Sequence, residues 1–255
     1  MDYKIAIPSI NRSRVLKERT IKLLRDYGIP MRNVRVFVTR ADAKEYMDVL
    51  DDKDINFSIV PIGIAQARNN ISHYFEEGEF ILSLDDDIKE IQELDGEKLI
   101  KLDCLKTLIE KVYTMLKDNN GGCCGVYPTN NPYFMKPYNS NNLKFCIGAM
   151  RFFINDREIE TSRSYNLLED YEISMKYFLK YGQIHRLNYI AINHDCNGRL
   201  GGGLSSITDR RYDIKKEEVN KFYTQYYKYC SINDRIVKNG KKIDIRFKKC
   251  RKKSL

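Results

Sequence analysis

Glu79-Phe80-Ile81-Leu82-Ser83-Leu84-Asp85-Asp86-Asp87 is the stretch on which the reading of this 255-residue chain turns. Its first six residues, mostly apolar, have the length and composition of a buried strand, and they deliver three carboxylates to the strand's tip. Toward the N-terminus, Tyr3 to Pro8 reads as another buried strand, closed by proline. A helix capped at Asn11 or Ser13 follows and stops at Gly28-Ile29-Pro30. Val34 to Val38 and Phe57 to Val60 read as two further strands. Ala41 to Leu50 and Ile64 to Phe75 read as helices, the second entered through Gly63. Strands alternating with helices at this spacing predict βαβ units and a mostly parallel sheet, an α/β fold. Toward the C-terminus, Asp103 to Asn119 has the apolar spacing of an amphipathic helix. Residues 121–142, rich in Gly, Pro, Asn and Tyr, predict an irregular loop, with Cys123 and Cys124 packing in a strand. Leu143 to Ile154 reads as a strand or hairpin, Leu167 to Tyr181 as a helix, Ile184 to Ile192 as a strand, and Gly201-Gly202-Gly203 as a loop.

The length suits one large domain with an extension. No run approaches the roughly 20 apolar residues of a membrane-spanning helix, so no span is expected. The N-terminus runs straight into a strand, with no leader pattern. The seven cysteines form no CxxC pair and read as reduced thiols, so a cytoplasmic protein is expected, in the host cytoplasm if the source is a virus. Heavy use of Lys, Asn, Ile and Tyr fits the AT-rich genome of a virus or phage. The net charge of +9 is unevenly placed. Lys215 to Leu255 holds 14 of the 44 Lys and Arg but 4 of the 35 Asp and Glu, a balance of +10, which leaves −1 for the rest. A basic block of that kind either binds polyanions such as DNA or is a solvated tail. We therefore divide the chain into a core, 1–205, and a basic C-terminal extension, 206–255.

Ligands of open α/β sheets bind beyond the carboxyl ends of the strands. Three polar clusters fall there: Pro8-Ser9 with Asn11 and Arg12, the Ala67-Arg68-Asn69 region, and the Asp triplet. Adjacent carboxylates repel unless a cation compensates, and Mn²⁺ or Mg²⁺ suits a site of one or two carboxylates completed by phosphate oxygens and water. If the pleat persists, Asp85 and Asp87 share a face and are the metal ligands, while Asp86 points away. His194, after an apolar strand, is a candidate third ligand or a plain loop histidine. His73 and His185 read as structural. Arg12 and Arg68 have the guanidinium geometry for a diphosphate, with Asn69 beside Arg68, although either is equally readable as a surface charge. Glu169, Asp170 and Glu172 open a helix, where acidic residues also act as caps. Their functional reading is a general base, Asp170 first, with Glu169 or Glu172 as fallback.

With IAIPS and Arg12, GIAQARNNI, SLDDDI and LLEDYEIS in place, the chain resembles the GT-A glycosyltransferases over most of residues 3 to 205. GVYPTNNPYFM (125–135), EDYEISMKYF (169–178) and the triple glycine narrow the resemblance to the TET-associated glycosyltransferases of phages and large DNA viruses. The resemblance implies a Rossmann-like, mostly parallel sheet with flanking helices and a small antiparallel element. It implies that Asp85 and Asp87 bind the metal and the diphosphate of a nucleotide-sugar, with a UDP-sugar as the expected donor. Pro8, Ser9 and Arg12 would line the nucleotide pocket, Arg68 and Asn69 would lie beside the phosphates, and the loop containing Gly202 would close over the donor. Asp170 would face the acceptor, a hydroxymethylated pyrimidine in DNA. Glycan or protein acceptors are the alternative. A nucleotidyltransferase would also use strand-end aspartates, but no Gly-rich loop with a lysine follows the first strand. A non-catalytic nucleic-acid-binding protein would leave the strand-end carboxylates unexplained.

Overall fold

The computed structural model of the chain describes residues 2–194, 211–237 and 240–250. Four parallel strands form one half of the main sheet: β1 (Lys4–Pro8), β2 (Val34–Val38), β3 (Asn56–Ile59) and β4 (Phe80–Leu84). They are joined by α1 (Ser13–Leu16), which runs through a π-helical turn (Lys17–Ile21) into α2 (Lys22–Asp26), by α3 (Ala43–Leu50) and by α4 (Ile64–Tyr74). Gly63, at φ 114°, turns the chain into α4 in a conformation that side chains resist. Ile5 and Ile7 pack on one face of β1 and Ala6 on the other, all fully buried, as expected of a parallel strand covered on both sides.

After the aspartates come β5 (Ile88–Asp95), β6 (Lys98–Lys101), α5 (Leu105–Asp118), β7 (Cys123–Val126), β8 (Asn139–Ser140) and β9 (Met150–Ile154). They are followed by α6 (Glu169–Tyr181), β10 (His185–Leu187), β11 (Ile190–His194), α7 (Arg211–Tyr226), β12 (Cys230–Val237) and β13 (Gly240–Phe247). The eight-stranded main sheet has the order β3-β2-β1-β4-β9-β7-β10-β8. Strands β9 and β8 run against the rest, so β7 and β10 point the same way as β4. A separate antiparallel sheet has the order β11-β5-β6, and β12 pairs with β13. The chain is thus a mixed α/β protein with a mostly parallel central sheet, flanking helices and a small antiparallel sheet.

Several elements depart from the sequence reading. Strands β5 and β6 were not anticipated: half of their residues are Lys, Glu or Gln, and the buried positions of β5, Ile88 and Ile91, are three apart rather than two. The single strand expected over Ile184 to Ile192 is two, because the chain leaves one sheet at Asn188 for the other. Asn188 is buried there, donating from Nδ2 to the Tyr138 carbonyl at 2.9 Å. The strand expected from Leu143 begins only at Met150.

The segment 211–250 is a helix and a hairpin that share a core with α6. Val219 and Phe222 of α7 and Ile243 and Ile245 of β13 pack with Tyr165, Leu168 and Ile173. Glu218 is buried, and its carboxylate accepts the backbone N–H groups of Asn166 and Leu167 at 2.9 Å and of Leu168 at 3.1 Å. These donors lie just ahead of α6, so Glu218 supplies from another helix the anionic acceptor that a helix N-terminus favours. Removing it strands buried donors, at a cost on the order of 3 kcal/mol. Urea denaturation of Glu218→Ala is expected to show that loss with the m-value unchanged. A loss under about 0.5 kcal/mol would show that the carboxylate is not what holds this loop.

Candidate active site

The Asp triplet sits where β4 ends. Asp85 N–H still donates to the Ala149 carbonyl at 3.0 Å, one residue past the strand, and then the chain turns into β5. Thr20, buried in the π-helical turn, fixes that turn. Its hydroxyl donates to the Asp85 carbonyl at 2.8 Å and accepts from Ile88 N–H at 3.1 Å. The register of β5 with β11 then pairs Ile88 with His194, which brings the histidine beside Asp87.

The strand pleat does not persist through the aspartates, so Asp86 does not point away from the cluster. Its Oδ2 accepts from the Ser9 hydroxyl at 2.5 Å, and its Oδ1 lies 3.3 Å from Arg12 Nη1. The same Nη1 lies 3.3 Å from Asp87 Oδ2. On its other side Asp87 presents Oδ1, buried and without a hydrogen-bond donor, 3.7 Å from His194 Nδ1. Asp85 is the most open of the three, its side chain 35% exposed. Burial pushes the Asp86 carboxyl up to about 6, against the pull of Ser9 and Arg12 and with the push of Asp85 and Asp87. Asp85 is raised as well, first by burial and then by Asp87 and Asp170, with Arg68 and His194 opposing.

Facing Asp85 is Arg68, whose side chain is only 4% exposed. The register of α4 aims its guanidinium at the end of β4, where Nη1 donates to the Ser83 hydroxyl at 3.2 Å. Nη2 lies 3.6 Å from Asp85 Oδ1 and 3.8 Å from Asp170 Oδ1, and Nε lies 3.8 Å from Glu169 Oε1. Burial alone would make Arg68 easier to deprotonate, yet Asp170, Asp85 and Glu169 outweigh it and hold the group more firmly charged. Glu169 is pushed well above the carboxylate range by burial and by the neighbouring Asp170, only partly offset by Arg68. Asp170 is fixed from the opposite side by Gly148, whose N–H donates to Oδ2 at 2.8 Å. A Cβ at residue 148 would lie 2.2 Å from both Arg68 Nη2 and Asp170 Oδ1, so only glycine lets the chain pass so close.

The structure therefore brings together Ser9, Arg12, Asp85, Asp87, His194, Arg68, Glu169 and Asp170, with Pro8 closing β1 beside them. It does not bring in Asn69 or Glu172. Asn69 uses both ends of its amide on the Thr161 backbone, at 2.8 and 2.7 Å. Glu172 accepts from Ser162 N–H at 2.6 Å and pairs with Lys176 at 3.3 Å. Arg68 lies inside α4, which starts at Ile64, so its own amide is no free helix-end donor. Gly202 lies outside the described residues. Three contributors were not read from the sequence. Tyr46 is one: its buried hydroxyl, pushed up to about 12 by burial, bonds Ser9 Oγ at 2.6 Å and accepts Arg12 N–H at 3.0 Å. Thr20 and Gly148 are the others, and only the glycine before a strand carried any signal.

Among the described residues, no group of three or more His, Cys, Asp or Glu side chains is spaced to hold a metal ion unaided. The donor set nonetheless fits Mn²⁺ or Mg²⁺: Asp85 is open, Asp87 has an unused buried oxygen, and such cations need one or two carboxylates when phosphate and water supply the rest. No helix is long and apolar enough to cross a membrane, among the described residues.

No protein-family profile and no curated protein sequence matches the chain. Solved structures do. The chain is similar to GalNAc-T7 with UDP, GalNAc and Mn²⁺ at 12% identity and TM-score 0.53, over 88% of this chain but 50% of that one. It is similar to mannosyl-3-phosphoglycerate synthase from Rubrobacter xylanophilus at 10% identity and TM-score 0.50, over 98% of this chain and 85% of that one. At such identities the similarity is one of backbone, and what it establishes is that the chain has a GT-A-like fold.

Proposed function

We propose that the chain is a metal-dependent glycosyltransferase that moves a sugar from a nucleotide-sugar, a UDP-sugar first, to an acceptor hydroxyl. The observation that carries this reading is the meeting of Asp85, Asp87 and His194 with the Arg68–Asp170 pair at the carboxyl end of β4. The UDP and Mn²⁺ of the GalNAc-T7 structure add support, since that backbone is similar to this one. Asp85 and Asp87 would hold the cation together with diphosphate oxygens and water, and His194 Nδ1, 3.7 Å from Asp87 Oδ1, would have to move to join them as third donor. A divalent cation bound there would neutralise the diphosphate, so that the nucleotide leaves without building up charge.

The remaining chemistry belongs to the chain. Asp86 anchors Ser9 and Arg12, which keeps the loop after β1 folded against the site and ready to line the nucleotide pocket. Arg68 offsets the mutual repulsion of Asp85, Glu169 and Asp170 from beneath. Glu169 is the more deeply buried and is pushed toward its neutral form, so Asp170, more open and held by the Gly148 amide, is the carboxylate positioned as general base. In the inverting course the acceptor oxygen forms its bond to the anomeric carbon as the bond to the diphosphate breaks, and the hydroxyl proton passes to the Asp170 carboxylate. A retaining course would leave Asp170 a positioning role. The hydroxymethylated pyrimidine acceptor is supported by the TET-associated resemblance and by the balance of +10 in the last 41 residues.

Nucleotide release from a panel of sugar nucleotides with Mn²⁺ or Mg²⁺, with and without hydroxymethylated DNA, tests the proposal. Asp87→Ala is expected to lower metal-dependent turnover by roughly a thousandfold, about 4 kcal/mol of transition-state stabilisation. Turnover that ignores DNA would move the acceptor to glycans or proteins. No turnover with any donor, and unchanged Mn²⁺ affinity in the variant, would overturn the site. Asp170→Asn is expected to depress kcat with Mn²⁺ affinity kept.

Metal removal has its own signature. Asp86 is raised in the folded protein from 3.8 to about 6, so between those pH values the folded state holds a proton that the unfolded state has released. Stability of the metal-free protein attributable to this group is therefore full below pH 3.8 and lost as the pH rises through 6, by about 3 kcal/mol in total. Asp86→Asn removes that loss. Chemical denaturation of both proteins in EDTA from pH 3.5 to 7 should show the variant gaining on the native chain across this window; parallel curves would refute the assignment.

A further inference from the structure

A second charged cluster lies on the same sheet, away from the aspartates. Leu143 N–H donates to the Cys250 carbonyl at 3.1 Å, which sets the neighbouring Lys144 and Lys249 side by side. Arg186 of β10 joins them from the strand. Its guanidinium lies 5.0 Å over the Tyr127 ring, and its Nε donates to Asn188 Oδ1 at 2.8 Å. Asn188 is itself buried and pinned through Nδ2 to the Tyr138 carbonyl, so the arginine's plane is set before any ligand arrives. The bond to Asn188 uses Nε and leaves the two terminal nitrogens as donors. No acidic side chain among the described residues pairs with Lys144, Arg186 or Lys249. Burial first, then the nearby Arg186 and Lys249, make the Lys144 ammonium easier to deprotonate.

The position of the cluster is also informative. Strands β4, β7 and β10 point the same way, so Arg186 lies three strand spacings, about 14 Å, across the sheet from the end of β4. Lys144 is four residues from Gly148, at most about 14 Å along the chain, and Gly148 donates directly to Asp170. One segment thus connects the proposed base to the cation cluster. We propose that Lys144, Arg186 and Lys249 form a phosphoester-binding subsite, and that the acceptor carries a phosphate group at roughly this distance from its reacting hydroxyl. The second clause rests on the transferase reading; the first does not. A carboxylate offers two oxygens in one plane and a single charge. Three neighbouring cations, one of them a planar fork, match the several oxygens of a phosphate better.

The test is an NMR titration of the metal-free full-length chain with inorganic phosphate, following the Arg186 Nε–H signal and the Lys144 amide. Saturable shifts at both, weakened roughly tenfold or more in Arg186→Gln and in Lys144→Gln, are expected. Lys17→Gln, on the far side of the fold, should change nothing. Glycerol 3-phosphate and dimethyl phosphate in place of inorganic phosphate separate a terminal monoester from a diester in a chain: the source that binds tighter is the one the site takes. Non-saturating shifts spread over many lysines, or equal affinity in both variants, would overturn the subsite. Mn²⁺ binding, measured in the same samples, stays intact in that case, so the transferase reading survives it. Conversely, a saturable site in a chain that turns over no donor would leave the anion subsite standing while the acceptor role falls.

Discussion

The buried guanidinium of Arg68 is the constraint on which the site depends. It meets carboxylates from β4 and α6, so one side chain of α4 decides how three elements lie against each other at the sheet's carboxyl end. A buried charge is tolerable only when paired, and a pair is worth keeping only when its geometry is held from outside. Here the geometry is held by neutral devices: the Ser83 hydroxyl on one nitrogen and the Gly148 amide on Asp170. The glycine matters as much as the charges, because the backbone there runs within the space a methyl group would occupy.

The same logic extends outward through groups that never meet the candidate ligands. Thr20 stands in the π-helical turn, and its side-chain hydroxyl makes two bonds to the turn that carries the aspartates. Glu218 fixes the approach to α6 from a helix some 50 residues later in the chain. The segment with most of the net positive charge thus contributes its one deeply buried carboxylate to the placement of Glu169 and Asp170.

How much of this was legible follows from what periodicity can carry. The parallel half of the sheet was readable because each strand is a short apolar run bounded by turn residues, and Asp85, Asp86 and Asp87 stood at its end in plain sight. The antiparallel sheet was not, because β5 and β6 are written in Lys, Glu and Gln, whose strand state depends on the partner strand rather than on their own preference. His194 could be suspected from its place after an apolar strand, yet its approach to Asp87 depends on a register with β5 that no local pattern specifies. Asn69 and Glu172 were misplaced for a related reason. Polar residues on a helix near a site look alike in sequence whether they face a ligand or hold a loop, and both hold the loop through Thr161 and Ser162. Tyr46 carried no signal in the sequence, and only its hydroxyl's distance from Ser9 shows its place in the site.

Charge balance at the site ties these pieces to the proposed chemistry. Asp85, Asp86, Asp87, Glu169 and Asp170 are five carboxylates gathered around two guanidiniums, those of Arg12 and Arg68. Burial and Asp170 push Glu169 toward its neutral form, yet the carboxylates still outnumber the guanidiniums, which leaves a deficit of positive charge. A third arginine would narrow that deficit and weaken the pull on a cation. A sixth carboxylate would deepen it in a setting where desolvation already raises Asp85 and Asp86. The two arginines therefore reduce the repulsion without cancelling it, and they do so from sides that leave Asp85 open and one oxygen of Asp87 without a hydrogen-bond donor.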